Sequence, residues 1–382
     1  MPATGTEQEA AHLRRALELA ERGRGRVSPN PLVGAVLVRE GELLGEGFHA
    51  ELGGLHAERA ALADARERGE DPSGATLYVT LEPCAHRGRQ PPCTEAILEA
   101  GIARVVYASE DPTEKASGRG PGILRDGGLE VELAQGSEAA AARLLNQAFR
   151  KRARTGRPHL TYKAAMTLDG RVAAPGGDSR WISATESREL VHAWRADCDA
   201  VAVGIGTALA DDPLLTARGA APEGGEEADR QPTRVVFDSH ARLPLDSALV
   251  RSLDEAPLIV VCAPEAPSVA RDALTKAGAE VVVAGGRDSA ARLGAALSEV
   301  GRRQIQDLLF EGGPTLAGAL FDAGEIDELR LFIAPILLGA GEARALLEGE
   351  GARRIAEGQR PLSLTHEAVG EDLLITARLR EW

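Results

Sequence analysis

Three side chains of metal-binding type, in a fixed order, constrain the first part of this chain more than any other feature. His56 opens a predicted helix together with Glu58, and Cys84 and Cys93 flank a loop rich in proline, glycine and arginine. One imidazole and two thiolates can supply three ligands to a tetrahedral zinc ion, and the fourth position then stays open for water, as in catalytic zinc sites. Glu58 is not a ligand in this arrangement, and we interpret it as a general acid/base beside the metal.

The same residues match the signature of the zinc deaminases, H-x-E followed by P-C-x-x-C, in which a metal-activated water attacks an amino-bearing ring carbon. The matching residues are His56-Ala57-Glu58 and Pro83-Cys84, but eight residues separate Cys84 from Cys93 instead of two. A lone cysteine or histidine is more often an ordinary core residue, because free cysteines are commonly buried. The complete set in the right order favours the metal.

The length of 382 residues indicates two or three domains. Acidic residues outnumber basic ones by 58 to 44, which gives a formal charge of −14 and disfavours non-specific binding to nucleic-acid phosphates. Four cysteines, two of them in the metal set, indicate a reducing compartment without a disulfide framework. The N-terminal stretch lacks a signal-peptide pattern, and no apolar run approaches the ~18 residues that span a bilayer. We therefore expect a cytoplasmic protein with neither a nucleic-acid nor a membrane partner.

The sequence as far as residue 150 alternates between predicted strands and helices. A capping pattern at Thr6 precedes leucines at helical spacing, and Cys93 opens a further helix whose dipole would favour its thiolate. Pro29-Asn30-Pro31 suits neither a helix nor a central strand, so we predict a rigid loop that presents the Asn30 amide. Short β-rich runs predict strands at 33–38, 42–47, 75–83 and 103–109. The alternation predicts a layered α/β sheet.

Four stretches, PNPLVGAVLV, GEGFHAELGGLHAE, TLEPCAHRGRQPPC and DPTEKASGRG, resemble the deaminase half of the bifunctional riboflavin-pathway deaminase–reductases. That family also has eight residues between its two cysteine ligands. The resemblance implies one zinc ion on His56, Cys84 and Cys93, with Glu58 as the proton shuttle. It also implies a set of side chains that hold the substrate in this half: Asn30, His49, His86, Arg87 and Arg89.

The chain departs from this family at three places. Gln90 stands where the family usually has threonine, Thr113-Glu114 replaces a usual Asn-Pro, and Ala35 replaces a common cysteine. None of these residues is a zinc ligand. We therefore expect the departures to affect substrate contacts and not the deamination chemistry.

The second half also alternates between strands and helices. A strand is predicted at 159–168, a helix at 185–196 behind a capping pattern at Ser183 and Glu186, and short β-rich runs at 233–239, 257–263, 280–285 and 306–313. Gly312 and Gly313 separate the last run from a helix that opens at Pro314 or Thr315, where backbone N–H groups suit a phosphate. A glycine pair is weak evidence alone, since glycines also occur in simple turns, and it is not the Rossmann G-x-G-x-x-G.

Five further stretches, KAAMTLDGR, DSRWIS, GIGTALADDPLLTAR, VVFDS and FEGGPTLAGAL, resemble the reductase half of the same family, which has a dihydrofolate-reductase-like fold and uses NADPH. The resemblance implies that the substrate contacts Lys163, Ser179, Arg195, Leu215, Arg218 and Glu311. It implies that the dinucleotide contacts Ala165, Trp181, Thr207, Asp211, Ser239, Gly313, Pro314, Thr315, Leu316, Ala317, Gly318 and Ala319. Asp211 and Glu311 are the candidate acids for proton delivery. Arg242 is a hypothetical ligand of the 2′-phosphate, because arginine often accommodates that group.

These observations predict a cytidine-deaminase-like three-layer α/β domain over residues 1–148, followed by a dihydrofolate-reductase-like α/β domain over residues 149–382. The predicted function is hydrolytic deamination of a diaminopyrimidine ribosylamino phosphate, then NADPH reduction of its ribosyl group, by a homo-oligomer. A basic run at 150–157 is predicted to be a solvated linker and not a nucleic-acid patch. Three alternatives stay open: a nucleic-acid base deaminase with an unrelated C-terminal module, a monofunctional deaminase, and a non-catalytic zinc-folded binding protein.

Overall fold

The structure, a computed structural model, describes residues 4–88, 90–114, 116–178, 181–219, 230–339 and 341–382. Its contacts divide the chain into two compact units that meet in sequence between Thr155 and Gly156, and Trp382 belongs with the first unit. The boundary expected from the sequence, after residue 148, therefore lies earlier than the division that the contacts give. Within the described ranges, every helix is too short or too polar to cross a bilayer.

The first unit is built around a five-stranded sheet. Its elements in chain order are α1 (Thr4–Glu21), β1 (Gly34–Arg39), β2 (Glu42–Phe48), α2 (Ala57–Glu67), β3 (Thr76–Val79), α3 (Cys93–Glu99), β4 (Arg104–Tyr107), α4 (Arg119–Asp126), β5 (Glu130–Leu133), α5 (Ser137–Leu145) and α6 (Gln147–Thr155). The strand order is β2-β1-β3-β4-β5. Strand β1 pairs antiparallel with β2 and β3, whereas β3, β4 and β5 are parallel.

Alternate side chains of these strands build a core on each face of the sheet. On one face, Val36 and Tyr78 pack with side chains of α1 and α5. On the other face, Leu37 and Leu77 pack with side chains of α2, α3 and α4. Successive residues of a strand point to opposite faces, so two apolar cores separated by one sheet require helices on both sides. The expected three-layer α/β arrangement is confirmed.

Helix α2 lies against strand β2 at two glycines. A Cβ atom on Gly45 would lie 2.5 Å from the Ala61 carbonyl oxygen, and one on Gly47 would lie 2.4 Å from the Ala61 nitrogen. Both distances are far below van der Waals contact, so only glycine permits this approach of the helix backbone. The two glycines therefore set the distance between the sheet and the helix that begins after His56.

The basic run after residue 149 is part of helix α6, and its first two cations are buried. Arg150 is 3% exposed and Lys151 is 2% exposed. The Arg150 guanidinium donates to Ser109 Oγ and the Glu110 carbonyl, both at 3.0 Å, and to the Trp382 carbonyl at 2.6 Å. The Lys151 ammonium lies 5.4 Å from the centroid of the Trp382 ring. The prediction of a solvated linker is wrong for these residues, because each charge has acceptors or an aromatic face inside the unit.

The second unit carries a nine-stranded sheet. Its elements are β6 (His159–Thr167), α7 (Thr185–Asp197), β7 (Ala200–Gly204), α8 (Ile205–Asp211), β8 (Thr233–Phe237), α9 (Ala248–Arg251), β9 (Leu258–Cys262), α10 (Ser268–Lys276), β10 (Glu280–Val283), α11 (Ser289–Arg302), β11 (Asp307–Phe310), α12 (Pro314–Asp322), β12 (Glu328–Ala334), a short 3₁₀ helix (Ile355–Glu357), β13 (Ser363–Val369) and β14 (Asp372–Arg378). The strand order is β10-β9-β8-β7-β11-β6-β12-β14-β13.

The seven strands from β10 to β12 are parallel, and β14 and β13 extend the sheet in antiparallel pairs. Parallel strands are covered on both faces, and their buried runs are accordingly almost continuously apolar. Side chains of α7, α9 and α10 pack on one face, and side chains of α11 and α12 pack on the other. The expected mixed α/β fold of this half is confirmed.

The start of α7 differs from the sequence prediction. The residue before the helix is Ala184, and no side-chain cap is formed there by Ser183. The Ala184 N–H and the Ser187 hydroxyl instead donate to one carboxylate oxygen of Asp372, at 2.7 and 2.6 Å. A carboxylate from strand β14 thus holds the start of this helix through one backbone N–H and one hydroxyl.

Candidate active sites

The three predicted metal ligands converge at one point of the first unit. His56 immediately precedes α2, Cys93 is the first residue of α3, and Cys84 lies in the loop that follows β3. His56 Nδ1 lies 3.5 Å from Cys84 Sγ and 3.3 Å from Cys93 Sγ. The three donor atoms all lie within 4.8 Å of one another. Residues that are far apart in sequence therefore meet because both helices start at the same end of the sheet.

This donor set fits a zinc ion. Tetrahedral zinc has Zn–S distances of about 2.3 Å and Zn–N distances of about 2.0–2.1 Å, which places sulfur and nitrogen ligands about 3.6 Å apart. The observed separations of 3.3 and 3.5 Å between His56 Nδ1 and the two sulfurs are close to that value. Two thiolates and one imidazole also match the ligand chemistry of zinc and leave one coordination position to a non-protein ligand.

The Glu58 carboxyl lies in the first turn of α2 and is 4% exposed. Burial raises its pKa to about 7, and the nearby Cys84 thiolate acts in the same direction. A hydrogen bond between the two thiols lowers the pKa of Cys84 and raises the pKa of Cys93, because one thiolate accepts from the other thiol. A carboxyl that titrates near neutral pH is suited to proton transfer in both directions.

The loop between the two cysteines is attached to its surroundings at several points. The Cys93 N–H donates to Cys84 Sγ at 3.4 Å, and Arg59 on α2 donates to the Pro92 carbonyl at 2.9 Å. Gln90 donates to the Gly53 carbonyl at 3.2 Å, so the residue that departs from the family pattern holds this loop to a neighbouring turn. These contacts fix the thiolates relative to the helix that carries Glu58.

Asn30 and His49 act as a pair. Asn30 Nδ2 lies 3.0 Å from His49 Nε2, and His49 Nδ1 lies 2.9 Å from the Leu55 carbonyl. A carbonyl oxygen can only accept, so Nδ1 carries the proton and Nε2 accepts from the Asn30 amide. His49 is 3% exposed, and burial lowers its pKa, which keeps the ring neutral. Because both of its ring nitrogens are used, His49 orients the Asn30 side chain.

The remaining substrate residues predicted in this half lie in the inter-cysteine loop. His86 and Arg87 are exposed, and Arg87 forms a loose ion pair with Glu95 at 3.7 Å. Arg89 lies outside the described residues. Exposed side chains on the loop between the two sulfur ligands are free to contact a phosphate that approaches from solvent.

Glu82 was missed by the sequence reasoning. It is 3% exposed, and its carboxylate accepts from the Asp111 N–H at 3.4 Å. Burial raises its pKa. The segment that follows Asp111 is held at its other end close to Pro83, because a Cβ on Gly120 would lie 2.0 Å from the Pro83 carbonyl oxygen. The available signal was a charged residue shortly after an apolar strand, next to the Pro-Cys pair.

The second unit contains a cavity of about 1260 Å³ along the carboxyl ends of its parallel strands. Substrates bind at this edge in open α/β sheets. The predicted site residues that line the cavity are Lys163, Ala165, Trp181, Arg195, Thr207, Asp211, Leu215, Arg218, Ser239, Arg242, Glu311, Gly313, Pro314, Thr315, Leu316 and Ala319. Ser179 lies outside the described residues.

Two residues of the predicted dinucleotide turn do not line this cavity. The Ala317 side chain is fully buried in the core, and its N–H donates to the Gly313 carbonyl at 3.1 Å. A Cβ on Gly318 would lie 2.4 Å from the Glu348 carbonyl carbon, so this glycine serves close packing. Only the residues at the very start of α12 present free N–H groups, because later residues of a helix use theirs in intrahelical bonds. The dinucleotide contacts predicted for Ala317 and Gly318 stay predictions, and the packing of these two residues is what the structure describes.

An ion pair lies in the wall of the cavity. Arg195 Nε and Nη2 donate to the two carboxylate oxygens of Glu311 at 2.7 and 2.9 Å, and Nη1 donates to the Thr216 carbonyl at 3.2 Å. Burial alone would raise the pKa of Glu311, but the Arg195 guanidinium outweighs it and the pKa is lowered. Glu311 is therefore an acceptor at neutral pH, which argues against its predicted role as a proton donor. Burial lowers the pKa of Lys163, while Glu311 acts in the opposite direction.

The other lining residues differ in exposure. The Trp181 side chain is 71% exposed, so it is not a core residue, and the Arg188 guanidinium lies 4.8 Å from its ring centroid. Leu215 is 3% exposed and has a φ of 56°, a backbone conformation that branched side chains rarely adopt. Arg218 is exposed. Of the two predicted phosphate-binding arginines, Arg218 is thus accessible, whereas Arg195 already has carboxylate and carbonyl partners.

Both halves of the chain match known families. Residues 6–109 match the cytidine and deoxycytidylate deaminase zinc-binding region, and residues 158–375 match the RibD C-terminal domain. The riboflavin biosynthesis protein RibD of Aquifex aeolicus is 40% identical over 97% of this chain and 98% of its own length. The protein of the same name from Escherichia coli is 39% identical over 92% of this chain and 94% of its own length.

Solved structures give the same result. Acinetobacter baumannii RibD superposes with a TM-score of 0.84 at 36% identity, over 98% of this chain and all of that one. A diaminohydroxyphosphoribosylaminopyrimidine deaminase/5-amino-6-(5-phosphoribosylamino)uracil reductase from Thermotoga maritima superposes with a TM-score of 0.81 at 34% identity, over 98% of this chain and 99% of that one. The relatives share both halves of the chain in the same order. The chain therefore belongs to the RibD family of bifunctional riboflavin-biosynthesis enzymes, which join a zinc-dependent deaminase to a reductase.

Proposed function

We propose that this chain deaminates a diaminopyrimidine ribosylamino phosphate in its first unit and reduces the ribosyl group of the product with NADPH in its second. The observation that carries the first step is the convergence of His56, Cys84 and Cys93 beside the buried carboxyl of Glu58. The cavity of about 1260 Å³ at the strand ends of the second unit, which is larger than the pockets that hold single small ligands, supports the second step.

In the first unit, His56, Cys84 and Cys93 hold the zinc ion. Bound zinc lowers the pKa of a water ligand, so that a nucleophile is available at neutral pH. Glu58, whose carboxyl is buried beside these ligands, would accept a proton from the attacking water and deliver it to the departing ammonia. Asn30, oriented by His49, offers its amide to the pyrimidine ring, since an amide can match both donors and acceptors of the ring edge.

In the second unit, the residues at the strand ends bind and orient the reactants, while NADPH supplies the hydride. Arg218, which is exposed, contacts the substrate phosphate. Glu311, kept ionised by Arg195, accepts from sugar hydroxyls, and Lys163 donates beside it. With NADPH bound, the hydride would go to C1′ of the open-chain imine, and Asp211, which lines the cavity, is the candidate to deliver the proton that the imine nitrogen takes up. Trp181 offers a flat face to a ring.

The test is mass spectrometry of the products formed by zinc-loaded protein from the diaminopyrimidine ribosylamino phosphate and NADPH. The wild type should exchange one amine for oxygen and add two hydrogens. Glu58→Gln should give no deaminated product, whereas Glu67→Gln, at the exposed end of the same helix, should behave like the wild type. A deaminated but unreduced product would contradict the reductase half. An unchanged substrate with zinc bound would contradict the substrate assignment and favour a nucleic-acid base as the alternative.

A further inference from the structure

The N-terminus of helix α12, in the wall of the reductase cavity, carries an anion supplied by the chain itself. Thr315 is the second residue of this nine-residue helix and lines the cavity. Its hydroxyl donates to Glu348 Oε2 at 3.1 Å and accepts from Arg344 Nη2 at 2.9 Å. The Arg344 guanidinium also donates two hydrogen bonds to the Glu348 carboxylate, at 3.0 and 2.5 Å. A carboxylate therefore lies between a hydroxyl, a guanidinium fork and a helix start.

The backbone on both sides of this cluster is fixed. The Val172 N–H donates to the Arg344 carbonyl at 3.1 Å, and Arg171 donates to the preceding carbonyl of Ala343 at 3.0 Å. The Glu348 N–H donates to the Pro314 carbonyl at 3.0 Å, which attaches the segment to the first residue of α12. Arg344 lines the same cavity as Thr315. The side chains can consequently rearrange while their Cα positions stay in place.

The donors around the Glu348 carboxylate are those that a phosphate uses. Guanidinium forks bind carboxylate and phosphate in the same bidentate geometry. Helix N-termini bind anions through free N–H groups and the helix dipole. The Arg344 and Glu348 side chains are 46% and 34% exposed. Ion pairs at that exposure are weak and exchange readily, so a stronger anion can displace the carboxylate.

We propose that Arg344 binds the diphosphate of the dinucleotide and that Glu348 occupies the place of a phosphate oxygen until the dinucleotide arrives. This inference rests on the proposed reductase function. Binding then exchanges one anion for another on Arg344 and Thr315, and the released carboxylate turns to solvent. Because NADPH and NADH share the diphosphate, Arg344 and Glu348 act equally on both, unlike a residue that contacts the 2′-phosphate.

The test measures dissociation constants for NADPH and NADH by nicotinamide fluorescence, with zinc-loaded full-length protein. Glu348→Gln keeps a partner for Thr315 but removes the competing charge, and it should tighten both dinucleotides by about two- to fivefold, the effect of one charge at a helix end. Arg344→Ala should weaken both by about tenfold, the loss of a charge-assisted hydrogen bond. The double variant should bind more tightly than Arg344→Ala. Arg354→Ala, which removes an exposed ion pair with Glu357 outside the cavity, is the matched control and should change neither constant.

Two outcomes overturn the inference. One is unchanged or weaker binding by Glu348→Gln, which keeps the test valid even if Arg344→Ala folds poorly. The other is an Arg344→Ala loss confined to NADPH, which would place the guanidinium at the 2′-phosphate. If the wild type binds neither dinucleotide, the reductase assignment itself is wrong. Wild-type binding with no effect of Glu348→Gln contradicts the proposed exchange of anions and leaves the reductase assignment in place.

Discussion

Replacement of Arg195 by methionine should destabilise the second unit far more than loss of a surface ion pair would. The guanidinium makes two bonds to the Glu311 carboxylate, at 2.7 and 2.9 Å, and the two side chains are only 13% and 9% exposed. Removal of one member of such a pair leaves the other charge desolvated. We expect a loss of about 3–5 kcal/mol in the free energy of unfolding.

The comparison variant is Arg302→Met, which breaks an exposed pair with Glu299 and should lose less than about 1 kcal/mol. Urea unfolding of the full-length chain gives both values, provided that hydrogen exchange of the β11 amides reports the second unit separately. The double variant Arg195→Met with Glu311→Met should recover most of the stability, since no buried charge is left. It should not recover reduction of the substrate.

The pH dependence gives an independent check. The folded-state pKa of Glu311 is lowered because Arg195 outweighs burial, so the pair contributes stability above the ordinary carboxyl value of 4.5 that is lost as the pH falls. In Arg195→Met the pKa shift of Glu311 should change from a decrease to an increase, because burial raises this pKa once the guanidinium is gone. The deficit of the variant should therefore be largest at neutral pH and shrink as the pH falls and the carboxyl becomes protonated. A variant as stable as the wild type at pH 7, or a deficit that grows on acidification, would refute this reasoning.

Three more outcomes are expected. Burial and the charges of Asp199 and Asp197 raise the pKa of Asp307 from 3.8 to about 7. Glu328 also raises this pKa, whereas the nearby Arg330 lowers it. His159 is the residue paired with Asp307 on the neighbouring strand. The folded protein therefore loses stability as the pH rises from about 4 through 7, and Asp307→Asn should remove this loss. The loss is at most about 4 kcal/mol in the free energy of unfolding, and about half of that after solvent relaxation. Urea unfolding at pH 4 and pH 8 measures it, and Asp272→Asn, at an exposed position, is the control. Treatment with a chelator should abolish deamination and lower the melting temperature of the first unit, while reduction of the deaminated substrate continues. Equal loss of both activities would contradict separate sites for the two reactions. Arg242, whose guanidinium is 56% exposed and 4.0 Å from Asp238, should be needed for NADPH only, so Arg242→Ala should weaken NADPH about tenfold and leave NADH unchanged in the same fluorescence titration; an unchanged preference for NADPH would exclude a role in binding the 2′-phosphate.

The metal ligands could be predicted because their signal is local. His56-Ala57-Glu58 and Pro83-Cys84 are short patterns whose chemistry is readable without the fold, and the alternation of apolar runs was enough to predict the layered sheets. Cys93 was correctly placed at the first position of a helix. The structure adds what spacing cannot give, namely that the three donor atoms lie within 4.8 Å of one another.

The sequence does not predict which residues from distant parts of the chain bind each other. The side chain that binds the backbone before α7 is Asp372 and not the adjacent Ser183. The acceptors that bury Arg150 include the Trp382 carbonyl, so a basic run that resembles a solvated linker is an internal feature of the first unit. The bond between Arg195 and Glu311 joins residues that are 116 positions apart, so the sequence gives no sign that the candidate acid Glu311 has a guanidinium partner. What the sequence leaves open in each case is the partner of a charged side chain.

The two glycines under helix α2 have a consequence for how this sequence can vary. Gly45 and Gly47 are not among the predicted metal ligands or substrate residues, yet a Cβ atom at either would lie within 2.5 Å of the backbone of Ala61. The helix would have to lift off the sheet and would carry His56 and Glu58 away from sulfurs held on a different helix and loop. A substitution at either glycine should therefore impair the deaminase half while every one of its signature residues is still in place.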